Sequence, residues 1–387
     1  MKNWKIRVLA LVLAMLMVIP MLAACDNGDE TPEQPEQPGP GEEQTAEKEI
    51  DIYLIAGQSN AAGTTKIEDA AALRADYPAL VNGTGPYILY AGNSAGNSPD
   101  NNVTHAWGNV KLGLGSSSSN IGPEVGMAKA LSEYYNEETG KVAGIIKYAH
   151  GGTGLVRTEA NNNYDGNWEP PSYRPHNPDD PNEAYRGYLY RGFMEEVGMY
   201  LYQLTRKGYT KINIKGLYWM QGCNDTWRYT TGAETMSKSP YWYPRAFACL
   251  VNDMRSDLSD IMIEIQGTDG GAADMPFFIG TISPTYSLGS AKQGHVWTDD
   301  GTALATANAR NQPFIAMQKK LAEDNENCYI INNDAYCTVK YEQISANTVQ
   351  YTMVGTDQSH WGQAQCYEIG QNVGNMMLDI CTDYQRP

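Results

Sequence analysis

The chain has 387 residues, 45 of them acidic and 28 basic, for a net charge of −17. With no basic stripe to neutralise phosphates, nucleic acid is excluded as a natural partner. The seven cysteines form no CxxC pair and no zinc-protease or EF-hand pattern occurs, so neither a metal nor an organic cofactor is expected.

Residues 1–24 read as an export signal: Lys2, Lys5 and Arg7 precede an apolar run from Val8 to Ala24, broken by Pro20. The run closes on Leu22-Ala23-Ala24-Cys25, which resembles the lipobox of bacterial lipoproteins. That likeness implies lipidation of Cys25 and a place on the extracellular face of the cell envelope, with the membrane touched only through the lipid. An ordinary signal peptide or an uncleaved anchor would export the body equally. Residues 25–48 are dominated by Glu, Pro, Gln, Gly and Asp, bury too little to offset folding entropy, and read as a disordered tether. Residues 49–387 are the expected folded body. Its cysteines are Cys223, Cys249, Cys328, Cys337, Cys366 and Cys381; export permits a Cys328–Cys337 bridge, and buried free thiols are the alternative.

Along the body, short runs rich in Ile, Val, Tyr and Phe predict strands at Ile50–Ala56, Val142–Ala149, Ile212–Met220, Phe277–Ile282 and Tyr329–Asn332. Helices are predicted from Pro123, over Leu189, Phe193, Val197, Leu201 and Leu204, from Pro244 with Phe247, Leu250, Val251, Met254 and Leu258 inward, and after Gly362 with Ile369, Val373, Met377 and Ile380 inward. This alternation predicts a three-layer α/β/α fold with a central parallel sheet of about five strands. Long polar connections lie near 92–120, 157–188, 226–243 and 284–310.

Four polar motifs follow predicted strands, and in open parallel sheets ligands bind beyond the strand carboxyl ends. Gly57-Gln58-Ser59-Asn60 puts a hydroxyl and free turn N–H groups where the chain leaves the first strand. His150-Gly151-Gly152-Thr153 offers close backbone approach, and Gln221-Gly222-Cys223-Asn224-Asp225 presents two amide side chains, either of which can donate to an oxyanion. Asp357-Gln358-Ser359-His360-Trp361 spaces a carboxylate and an imidazole so that Asp357 can hold Nδ1 while Nε2 faces Ser59. Taken singly, each motif is also ordinary turn or capping chemistry; their shared placement at strand ends argues for one site.

These blocks resemble SGNH hydrolases, and within them the sialate O-acetylesterase-like carbohydrate esterases. The resemblance implies Ser59 as nucleophile, Asp357 and His360 as acid and base, and an oxyanion hole from Ser59, Gly151 or Gly152, and Gln221 or Asn224. Gly122-Pro123-Glu124 also resembles a segment of that branch. Many relatives read Gln-Gly-Glu-Ser-Asp where this chain has Gln221-Gly222-Cys223-Asn224-Asp225, which leaves the choice between Gln221 and Asn224 open. The expected reaction is removal of O-acetyl groups from a carbohydrate, a polysaccharide or O-acetyl sialic acid, through an acetyl-serine intermediate. The 26 Tyr and 8 Trp supply flat surfaces for sugar rings, and Gln58, Trp227 and Trp361 are candidate substrate contacts. The competing readings are a non-catalytic glycan- or solute-binding lipoprotein and a lipid-directed esterase.

Overall fold

The computed structural model describes residues 47–95, 101–156, 167–180, 183–227, 242–289 and 292–386. Cys25, the export signal and nearly all of the tether lie outside them. The chain divides between Glu47 and Lys48, and the second unit, Lys48–Pro387, is the body described below.

Its elements, in order, are β1 (Glu49–Gly57), α1 (Ser59–Ala62), β2 (Thr65–Lys66), α2 (Ala70–Asp76), α3 (Ala79–Asn82), β3 (Ile88–Ala95), β4 (Asn101–Val103), β5 (Gly108–Asn109), β6 (Asn120–Ile121), α4 (Glu124–Leu131), β7 (Ala143–His150), α5 (Tyr188–Arg206), β8 (Lys211–Met220), α6 (Trp242–Gln266), β9 (Phe277–Gly280), β10 (Val296–Asp299), α7 (Thr302–Asp324), β11 (Cys328–Ile331), β12 (Val339–Ser345), β13 (Thr348–Met353) and α8 (Gln363–Cys381). The main sheet runs β11-β9-β8-β1-β7-β3-β4, with β5 also on β3. The ladder from β11 to β3 is parallel throughout, and β4 and β5 add to β3 antiparallel.

The parallel core therefore has one strand more than expected: β3 joins the five predicted ones. Residues 92–120 and 284–310 are also not plain connections, since the first holds β4, β5 and β6 and the second holds β10 and the start of α7.

β1 and β7 are almost continuously buried, as strands covered on both faces must be. Neighbouring residues of β7 show what covers each face, because successive side chains point to opposite sides. Lys147 reaches Glu124 of α4, while the ring of Tyr148 packs 6.3 Å from that of Phe193 on α5. α8 packs closely against α4: a Cβ on Gly126 would sit 1.9 Å from the Tyr367 carbonyl oxygen, and one on Gly370 would sit 2.2 Å from that of Pro123.

β1 is paired with β7 on one side and β8 on the other, so consecutive strands β7 and β8 flank it. The chain's winding reverses there, and the crevice at such a point is where α/β sheets bind ligands. Gly57 lies opposite Ala149 and Met220 in register, which brings three of the four motifs to one edge.

Candidate active site

Gly57 makes the exit from β1. Its φ of +138° belongs to glycine, and an added Cβ would meet the Met220 carbonyl oxygen at 2.1 Å. The next residue bonds back to that carbonyl through its own N–H at 2.9 Å, and the chain then turns into α1 with Ser59 as first residue. Ser59 is 7% exposed. Neither its hydroxyl nor its N–H has a partner among the described residues.

The Gln58 amide oxygen accepts from the N–H of Gly222 at 3.0 Å and faces that of Asn224 at 3.4 Å. Through this oxygen the buried side chain laces the ends of β1 and β8 together. Gln221 differs from the expectation of an oxyanion donor. It is fully buried, donates to Asp225 at 2.6 Å and to the Thr153 carbonyl at 3.1 Å, and accepts from the Tyr243 hydroxyl at 2.7 Å. Its amide has nothing left for an oxyanion. Asn224 is the opposite case, since its Nδ2 is buried without an acceptor. A buried orphan donor at a strand end costs free energy unless a ligand atom satisfies it.

The Gly151 N–H is held by the Ala95 carbonyl at 2.9 Å, an extension of the β3–β7 ladder, so it is removed from the oxyanion set. Gly152 follows at φ +70°, and its N–H has no acceptor among the described residues. Asp225 joins the two turns, accepting from Gln221 and from the Leu155 N–H at 2.8 Å.

On the last loop, Asp357 Oδ1 accepts from the N–H groups of Ser359 at 2.7 Å and His360 at 3.1 Å, closing a tight turn. Its Oδ2 accepts from His360 Nδ1 at 2.8 Å. Burial pushes the Asp357 carboxyl up, but the hydrogen bond and charge of His360, with the two N–H groups, outweigh it and hold the group below its ordinary value. With Nδ1 donating, Nε2 is left as the basic nitrogen.

This loop is fastened to the nucleophile segment. Asn60 Nδ2 donates to the Ser359 carbonyl at 3.1 Å, and Thr65 Oγ1 to that of Trp361 at 3.0 Å. Trp361 itself is buried, with its indole N–H on the Tyr336 carbonyl at 2.7 Å, so it is a loop anchor and not the substrate contact expected. Trp107, Trp168 and Trp242 are buried too; of the loop tryptophans Trp227 stands out at 47% exposure.

Behind Ser59 lies a feature that the strand pattern concealed. Lys147, fully buried in β7, pairs with buried Glu124 at 2.8 Å and donates to the carbonyls of Leu114 at 2.8 Å and Ala62 at 3.1 Å. It thus ties off the end of the short helix that Ser59 begins. A lysine inside an apolar strand was the signal available, because such a residue is almost never buried unless paired.

Cys223 beside Asn224 offers no competing nucleophile, since burial raises its thiol to about 12. All six described cysteines are free, so of the two readings left open for Cys328 and Cys337 the free thiols are the one found. Among the described residues no group of three or more His, Cys, Asp and Glu side chains is arranged to hold a metal.

A mostly parallel α/β sheet that gathers a strand-end serine, an Asp–His pair and unpaired donors at one edge defines the class. The family follows from comparison: the model for "Carbohydrate esterase, sialic acid-specific acetylesterase" matches residues 49–274, more than half of the chain, and the chain belongs to that family. The match contains Ser59, Gly152 and Asn224, while Asp357 and His360 lie beyond it. Among solved structures, NanS aligns at 13% identity over 86% of this chain and 98% of its own, with a TM-score of 0.48. A protein from Arabidopsis thaliana aligns at 14% identity over 86% and 98%, with a TM-score of 0.41. A carbohydrate acetylesterase from Xanthomonas citri aligns at 14% identity over 86% of this chain and 56% of its own, with a TM-score of 0.40. No curated protein matches the chain.

Proposed function

We propose that the protein removes O-acetyl groups from carbohydrates through an acetyl-serine intermediate. His360 Nε2 takes the proton of Ser59 Oγ as the oxygen attacks the acetyl carbonyl. The tetrahedral oxyanion is met by the N–H groups of Ser59 and Gly152 and by the orphan Asn224 Nδ2, none of which has an acceptor among the described residues. His360 then gives its proton to the departing sugar hydroxyl, and water repeats the sequence on the acetyl-enzyme while Asp357 holds the ring.

The observation that carries this reading is the Asp357–His360 bond of 2.8 Å on a loop bound to the residue after Ser59. Family membership supplies the acyl group and the sugar. The test is acetate release from p-nitrophenyl acetate and acetylated glycans by the wild type and Ser59→Ala. Equal, slow rates for the two proteins reject the proposal. The same reading places the protein outside the cell, lipid-anchored at Cys25, on the strength of the charged start, the apolar run and the Leu22–Cys25 motif. Metabolic labelling with a radioactive fatty acid tests it, and label retained by Cys25→Ser counts against it.

A further inference from the structure

Two cations are buried among the described residues, Lys147 and Arg310. Lys147 has Glu124. Arg310, on α7 and 7% exposed, has no carboxylate partner among the described residues. Its Nε donates to Asn311 Oδ1 at 3.0 Å, one Nη donates to the Tyr286 carbonyl, and its guanidinium lies 3.8 Å over the ring of Trp227. These bonds use two of the five N–H donors that a guanidinium carries. A buried charge without a counter-ion is costly. Arg174 offsets it with Glu169, and Arg186 with Glu183 at 2.8 Å, whereas Arg191 and Arg255, both less buried than Arg310, donate to backbone carbonyls.

The place of Arg310 gives the unpaired charge a meaning. Its Trp227 contact lies three residues along the turn from Asn224, whose Nδ2 is the orphan donor. On the other side, Tyr286 precedes Ser287, whose N–H donates to the Gln358 carbonyl at 2.8 Å, two residues before His360. Arg310 is thus wedged between the oxyanion turn and the base loop. A guanidinium fork matches a carboxylate in geometry and charge, and one such group compensates one negative charge.

We propose that Arg310 binds the carboxylate of an acidic sugar, so that the site prefers acetyl esters of carboxylate-bearing glycans to those of neutral ones. This rests on the proposed esterase reaction and adds a selectivity residue to it. Trp227, sandwiched with the guanidinium and still half exposed, borders the same ring-binding surface.

The test compares acetate release from each acid with release from its carboxyl methyl ester, which removes the charge and leaves the acetyl group. One arm uses an O-acetylated glucuronoside and the other an O-acetylated sialic acid, which separates the two sources of the carboxylate. In the wild type kcat/KM favours the acid by roughly 10–100-fold on at least one arm, the worth of a charge-assisted hydrogen bond. Arg310→Met brings that ratio to near one, and Arg310→Lys keeps part of it. A wild-type ratio near one on both arms, or a loss in Arg310→Met that is equal for acid and ester, overturns the proposal. Calorimetry on Ser59→Ala with unacetylated glucuronate, sialate and glucose gives a readout independent of turnover: the acids bind more tightly than glucose, and Arg310→Met removes the difference. Acid-selective binding without ester turnover rejects the reaction and keeps the anion site. Turnover without acid preference rejects the anion site alone.

Discussion

Asn60 and Ser359, 299 residues apart in sequence, are joined by a hydrogen bond of 3.1 Å that fixes the distance between the nucleophile segment and the base loop. Asn60→Ala removes it while leaving Ser59, His360 and Asp357 in place. Because small displacements of reacting groups are expensive, kcat falls about 10–100-fold with KM little changed. Steady-state kinetics beside a thermal melt separates this from unfolding; a loss of folding equal to the loss of rate refutes it.

Asn224 and Gln221 should part company. Asn224→Ala deletes an orphan donor and lowers kcat by about 10²–10³-fold at nearly unchanged stability. Gln221→Ala strips Asp225, Thr153 and Tyr243 of their partner and costs about 1–3 kcal/mol of stability, seen as a shifted denaturation midpoint.

Asp357→Asn removes the carboxylate that orients His360, and loss of the right tautomer lowers kcat by up to about 10⁴-fold. The folded Asp357 carboxyl lies below its ordinary value, so its stabilising effect is fully present above that ordinary value and is lost as pH falls through the lower folded one. The stability gap between wild type and Asp357→Asn therefore closes in acid. Melts from pH 7 to pH 2 show this, and a gap that widens towards acid reverses the assigned sign.

Lys147→Met leaves Glu124 charged and buried, and costs about 3–5 kcal/mol. Lys147→Met combined with Glu124→Leu recovers part of that loss, because neither charge remains to be compensated. A urea double-mutant cycle measures the coupling, and simple additivity counts against the pairing.

β1, β7 and β8 were legible because burial on both faces makes them unbroken apolar runs. β3 was not, since its apolar start gives way to Gly92-Asn93-Ser94 before the strand ends. α7 was concealed by Pro313 inside it and a weakly patterned Thr- and Ala-rich start. In the site, the spacing of Asp357 and His360 revealed a pair whose geometry needs only one loop. The partners of Gln58, Gln221 and Trp361 were not legible, because they are set by strand register and loop return, which composition does not encode. Gln58 meets Gly222 only because Gly57 pairs with Met220.

The buried Lys147 has a consequence for when the chain becomes active. Its bonds reach back 85 residues to Ala62, 33 to Leu114 and 23 to Glu124, so the rear wall of the Ser59 turn closes only after distant segments have met. A nascent or unfolded chain carries its serine as an inert hydroxyl. Ester hydrolysis then serves as a late clock of folding, silent until the sheet, α4 and the base loop have come together.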